Sequence, residues 1–280
     1  MTRLRKTKLL LIFLLLTVLT VSAAGAETNQ ALSIPAFTET DCVWDEAGNL
    51  ISETVRDLTG APALNRRGFY RAEYTWDALN NLLTEAYFGL NGEPVNADGG
   101  FARAEYTYGV DSRKVSHLLT EDRYAADGSR AQIPGSYSYR RDAWDGDQIL
   151  SSEYFDAEGN LTRPTGGYAQ ILYDVETGNN VVRVTKRYLD ADGTPLLGVE
   201  GGATVVSVYA KKGVADNETV EKDLLGLKLD SGKRQKADTA SMQLWSVEIF
   251  AVDGSKALGA EHYHRMVNTY DNQGNKVRVD

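Results

Sequence analysis

Between residues 101 and 108 apolar and polar side chains alternate. Ala102, Ala104, Tyr106 and Tyr108 share one parity, and Arg103, Glu105 and Thr107 the other. A half-buried strand alternates in this way because successive side chains leave opposite faces of the pleated backbone. The same parity runs through Tyr70, Ala72, Tyr74 and Trp76 against Arg71, Glu73 and Thr75, and again through Ala169, Ile171 and Tyr173. It also runs through Ala203, Val205 and Tyr209, with Ser207 as the one polar intruder. A slip of one residue would turn all these faces to water, so the agreement predicts strands with a single buried side.

Turn residues separate the strands at a regular distance. Asp45-Glu46-Ala47-Gly48-Asn49-Leu50, Asp77-Ala78-Leu79-Asn80-Asn81-Leu82 and a degenerate Gly109-Val110-Asp111-Ser112 start 32 residues apart, and later copies at Asp145, Asp174 and Asp271 drift in length. A second turn follows an aromatic in each unit, from Tyr87 to Gly92, Tyr124 to Gly128, Tyr154 to Gly159, Tyr188 to Gly193 and Phe250 to Gly254. Asp, Asn and Gly at these places supply the positive φ that tight turns need. Each unit reads as two turns and two strands. The fold class is therefore all-β: an array of antiparallel β-hairpin repeats of about 32 residues forming an elongated twisted sheet or open β-solenoid. A lone hairpin is marginal in water, so copies must stack, with the rings of one unit covering the alanines of a neighbour.

The repeats occupy residues 45–209 and return in residues 246–280 as a last repeat and C-terminal cap, where Lys276, Arg278 and Asp280 mark a closing edge strand that discourages further pairing. Between them, residues 210–245 read as an irregular or degenerate repeat. Asp216-Asn217-Glu218-Thr219 offers a helix start there, and Val220, Leu224 and Leu227 follow at helical spacing, so one short helix fits. Departures of this kind often map to a binding face.

The first 26 residues have the pattern of a secretory signal peptide: Arg3, Arg5, Lys6 and Lys8, then an apolar run from Leu9 to Val21, then small residues with Ala24 and Ala26 placed for cleavage before Glu27. The apolar run is shorter than the roughly 20 residues of a membrane span. Residues 27–44 show no periodicity and read as an N-terminal linker. The expected location is secreted or extracytoplasmic, with no membrane insertion once the signal is removed. Loss of the signal takes four cations and no acids from the 30 basic and 39 acidic side chains, leaving 26 against 39 and a formal charge of −13. Nucleic acid is bound through clustered Lys and Arg, so it is not an expected partner. The sole cysteine, Cys42, forbids an intrachain disulfide and reads as a buried inert thiol, with an interchain disulfide as the alternative.

Tyr74-Thr75-Trp76-Asp77 and Tyr270-Asp271-Asn272-Gln273-Gly274-Asn275 resemble the YD repeats of bacterial wall-associated and RHS-type proteins. Tyr154-Phe155-Asp156-Ala157-Glu158-Gly159 is similar to the hairpin of choline-binding and glucan-binding cell-wall repeats, although the tryptophan pairs of the choline cage have no counterpart here. What the resemblance implies is a hairpin architecture and a bacterial extracellular setting.

Candidate chemistry is sparse. His262 and His264 would share one face of a strand beside Glu261, but a third metal ligand is missing. Asp190-Ala191-Asp192-Gly193 and Asp156-Ala157-Glu158-Gly159 open like calcium loops, yet lack the later ligands, and turn chemistry explains them. No Gly-x-Ser-x-Gly is present, and no carboxylate pair stands out in so acidic a chain. The sequence assigns no catalytic, cofactor-binding or metal residues and no cofactor. It points to a non-catalytic interaction module with a protein or cell-wall polysaccharide partner and an open oligomeric state. The alternative is glycan binding through outward-facing Tyr87, Tyr124, Tyr154 and Tyr188, which rings on the buried side would rule out.

Overall fold

The computed structural model describes residues 38–213, 217–227, 239–271 and 273–280. The signal segment 1–26 and residues 27–37 lie outside the described residues. Fourteen strands form one open antiparallel sheet, and their order in the sheet is their order in the chain. They are β1 (Thr38–Trp44), β2 (Leu50–Asp57), β3 (Arg71–Trp76), β4 (Leu82–Phe88), β5 (Arg103–Val110), β6 (Ser116–Tyr124), β7 (Tyr139–Asp145), β8 (Gln148–Phe155), β9 (Gln170–Thr177), β10 (Val181–Leu189), β11 (Thr204–Lys211), β12 (Met242–Phe250), β13 (Arg265–Tyr270) and β14 (Lys276–Val279). The expected array of antiparallel hairpins is thus the observed fold. β1 falls inside the stretch read as a linker. Its side chains are almost all exposed, polar from Thr38 to Asp41 and apolar only at Val43 and Trp44 on opposite faces, so no alternation announced it.

Each unit holds three turns rather than two. The first joins the strands of a hairpin and is closed by an aspartate. Asp45, Asp77, Asp111 and Asp271 accept the main-chain N–H four residues on, at 2.7, 2.9, 2.9 and 2.8 Å. Residues 57–61, 89–93 and 125–129 make a second turn, which ends in an isolated bridge such as Phe88 to Pro94. Residues 65–69, 97–101, 198–202 and 259–263 make a third, which folds the chain back over one face of the sheet before the next hairpin starts. Every hairpin except β9–β10 also carries a bulge. Ile51, Leu83, Leu119, Leu150, Trp245 and Val277 are the extra residues, each beside the aromatic or apolar end of the preceding strand. A bulge at the same place in successive units adds twist in the same sense each time.

The turn aspartates set an acid limit. Asp45 and Asp111 are held below the ordinary carboxyl range foremost by the main-chain N–H of Asn49 and Val115, with Asp111 at about 2. For Asp77 and Asp271 the side-chain amides of Asn81 and Asn275 do most. A depressed carboxyl stabilises the fold above its unfolded value of about 3.9, and that contribution disappears as pH falls through the folded value. The urea midpoint is therefore expected to drop steadily from about pH 4 to about pH 2. A midpoint flat across that window would contradict the closure of the turns by ionised aspartates.

The main core lies on the face covered by the third turns. Ala72, Ala104, Ala169 and Ala203 are buried as their parity predicts. Over them runs a ladder of rings from alternating turns and strands: Phe69 to Tyr87 at 5.0 Å, Tyr87 to Phe101 at 5.8 Å, Tyr137 to Tyr154 at 4.9 Å, Tyr154 to Tyr168 at 5.7 Å and Tyr168 to Tyr188 at 5.0 Å. Between Phe101 and Tyr137 the rung is Arg123, whose guanidinium lies 5.3 Å and 3.9 Å from the two ring centres.

A second core lies on the opposite face. The helix α1 (Asn217–Leu225) buries Val220 against Val181, Val208, Ala210 and Trp245, with Leu224 and Leu227 packed alongside. This is the short helix that the spacing of Val220, Leu224 and Leu227 predicts. Asp223 fixes its place by accepting the N–H and side-chain amide of Asn180 at 3.1 and 2.8 Å.

Candidate functional site

Between Tyr188 and Tyr263 the ladder has neither a ring nor a guanidinium to bridge it. Phe69, Phe101, Tyr168 and Tyr263 each close a third turn, and in the turn before β11 that place is held by Gly202. A Cβ there would meet Ile249 at 2.3 Å, and Ile249 itself holds the strand rung that Tyr87, Arg123, Tyr154 and Tyr188 hold in earlier units, so two successive rungs lack a ring. Next to the break is a cavity of about 200 Å³. Its floor is Val205, Val247 and Ile249, and Glu200, Glu261 and Tyr263 stand at its rim.

Two neighbouring loops build the rim. The N–H of Ala260 donates to the carbonyl of Glu200 at 2.9 Å, and Gly201 approaches Gly259 so closely that a Cβ would lie 3.0 Å from the Gly259 carbonyl carbon. Glu200 is held from inside by Lys186 and by the Tyr188 hydroxyl. Burial works to raise its carboxyl, but these two donors outweigh it and the carboxyl ends below its ordinary value. Tyr188, buried and donating to Glu200, is pushed far above the ordinary phenol range. Glu261 has no ion-pair partner among the described residues.

The outer side of these loops is apolar. Leu197 is 57% exposed, Val199 70% and Leu258 68%. At the place of Val199 the first two third turns hold Arg66 and Asp98, while the place of Leu197 is held there by half-buried Leu64 and by Asn96. The cavity is smaller than the roughly 300 Å³ at which small-molecule pockets begin.

Other sequence candidates resolve into structural roles. His262 is not on a strand: it sits in the third turn at φ 62°, the place that Gly68, Gly100 and Gly201 take at 81 to 86°. His264 follows before β13 begins, so the two imidazoles do not share a strand face. Left-handed backbone costs a non-glycine residue about 1 kcal/mol. His262→Gly is expected to raise stability by up to that amount in urea unfolding, and a destabilised variant would mean that the imidazole makes a contact of greater value. Asp192 accepts both the N–H and hydroxyl of Thr194, at 2.9 and 2.7 Å, and Asp156 accepts the N–H of Asn160 at 2.8 Å, so these carboxylates serve their turns.

The repeated tyrosines do not form an outward row. Tyr87 and Tyr188 are fully buried, and Tyr154 is wedged edge-on between Tyr137 and Tyr168. Tyr124 is out of phase with them: its neighbour Arg123 holds the ladder position, and Tyr124 turns to the opposite face, where the Arg103 guanidinium lies 4.6 Å from its ring centre. The ring surface needed for sugar stacking is thus already occupied. Cys42 is exposed on β1 rather than buried, because an edge strand leaves it nothing to pack beneath.

Fold and site together define a hairpin-repeat sheet with an interruption in its ladder. No protein-family model matches the chain, and no curated protein does. Among solved structures it is similar to the crystal structure of TcdB2-TccC3, with a TM-score of 0.36 and 10% identity over 86% of this chain and 9% of that one. It is also similar to TcdB2-TccC3-TEV, with a TM-score of 0.26 and 12% identity over 86% of this chain and 15% of that one. Among the described residues no helix is long and apolar enough to cross a membrane.

Proposed function

We propose that this chain is a secreted, non-catalytic module that holds a partner protein outside the cell or at its surface, through the cavity beside Gly202. The observation that carries the reading is the local change of character at that break. Two successive rings are missing, at Gly202 and Ile249, the floor is aliphatic, two carboxylates flank the opening, and exposed Leu197, Val199 and Leu258 surround it. Buried apolar anchors inside a polar rim dominate the energy of protein interfaces. An acidic chain favours a basic partner, so the anchor is a lysine or arginine set among aliphatic residues. The pattern of residues 1–26 supports secretion.

Peptide arrays that vary lysine or arginine within aliphatic contexts test the site. Binding should weaken at least about tenfold in Val199→Asp and in Glu261→Lys, as expected for loss of a hot-spot contact. Preference for acidic peptides, or hydrolytic turnover by the purified protein, would sink the proposal. Recovery from culture medium of a chain beginning at Glu27 tests secretion separately.

A further inference from the structure

Both edges of the sheet carry half of a contact that is repeated inside it. Trp76 donates its indole N–H to the carbonyl of Leu50 at 2.8 Å, Trp144 donates to Leu118 at 2.8 Å, and the Tyr270 hydroxyl donates to Leu244 at 2.7 Å, each across 26 residues. In every case the donor is the last or next-to-last residue of the first strand of a hairpin, and the acceptor stands just before the bulged residue of the preceding hairpin. Trp44 is the corresponding donor in β1. It is 58% exposed and its indole has no partner among the described residues. Lys276, just before the bulged Val277, is the corresponding acceptor in β14. Among the described residues β1 and β14 are the two strands with a neighbour on one side only.

We propose that copies of this chain associate head to tail, with β14 of one copy pairing with β1 of the next and Trp44 of the second donating to the Lys276 carbonyl of the first. The register follows from the join between hairpins, where Ser52, Glu53 and Thr54 face Glu73, Ala72 and Arg71. Laid down the same way, the new join sets Arg278 opposite Asp41, Val279 opposite Thr40 and Asp280 opposite Glu39. The first pair attracts and the last repels, so main-chain pairing and the indole contact supply most of the affinity. Two-fold pairing centred on β1 is worse, since it sets Asp41 against its own copy, and centred on β14 it sets Val277 against Arg278 with no opposite-charge pair. The charge at the middle of β1 therefore disfavours its self-pairing, while only the unlike join sets Arg278 against Asp41. Such an interface does not close on itself, so copies add in line.

Mixed disulfides give the direct test. Asp41→Cys and Arg278→Cys are placed singly in full-length chains that also carry Cys42→Ser, one of them tagged, and the two are mixed and oxidised. Most of the linked product should contain both variants. Linking of each variant only to itself, or no linking, overturns the proposal. In sedimentation of the unaltered chain the average mass should rise with concentration, and Trp44→Phe should require about fivefold more protein for the same rise, the effect of one lost hydrogen bond. A monomer at every concentration would also overturn it.

Discussion

Replacing Tyr188 with alanine is expected to cost about 3–5 kcal/mol, the range for removing a buried aromatic, and to loosen the sheet at β9 to β11 before the rest. The ring is fully buried, contacts Tyr168 at 5.0 Å, and lies so close under the third turn that a Cβ on Gly198 would be 2.1 Å from it. Tyr188→Phe keeps the ring and removes only the hydroxyl donated to Glu200, which Lys186 still holds. That variant should cost only about 1–2 kcal/mol. The gap between the two separates ring packing from hydrogen bonding. A chain of neighbouring units need not unfold in one step, so hydrogen exchange read strand by strand is the proper measurement alongside a denaturant midpoint. Equal losses in the two variants would show that the ladder contributes little beyond its hydroxyls.

Arg123 should behave differently from the tyrosines whose place it takes. Its Nε donates to Glu121 at 2.7 Å and one of its terminal nitrogens to the Tyr137 hydroxyl at 2.8 Å, while its plane is sandwiched by Phe101 and Tyr137. Glu121 is buried. Arg123→Ala leaves that carboxylate without its cation and opens the ladder, for an expected loss of about 3–5 kcal/mol. Arg123→Tyr should lose less than about 1.5 kcal/mol, the usual cost of a tolerated core exchange. Two units meet at this rung, and the equivalent Tyr87 already donates its hydroxyl to Glu85, two residues before it, as Arg123 donates to Glu121. Urea unfolding of the two variants decides between them. If tyrosine is as damaging as alanine, the cation itself is required at that rung.

How far the sequence reveals this fold depends on which face a residue serves. Strand faces were legible where small and aromatic residues alternate strictly, as in Ala102, Ala104 and Tyr106. The bulges were not, because Leu82-Leu83 and Leu118-Leu119 look like ordinary apolar runs until the partner strand shows that one residue has no opposite. The phase of Tyr124 was misread for a related reason. Two units place two aromatics side by side, Tyr87-Phe88 and Tyr154-Phe155, and where Arg123 replaces the first, aligning the remaining ring moves it to the wrong face. The third turn was hidden by its variety, Asn65 to Phe69 in one unit and Gly259 to Tyr263 in another, with His262 standing where glycine is usual. The cavity did leave a signal: Gly201-Gly202-Ala203 stands where Gly100-Phe101-Ala102 and Gly167-Tyr168-Ala169 keep their ring. Its meaning needed the neighbouring strand, since only Ile249 shows what became of the space.

Because strand order in the sheet equals strand order in the chain, tension between the first and last strands would load this sheet as a zipper. Each hairpin would peel from the edge one rung at a time instead of resisting with all its bonds together. A pulled molecule should lengthen in small steps at low force and recover them in reverse, since every lost contact lies near in sequence and re-forms without a long search.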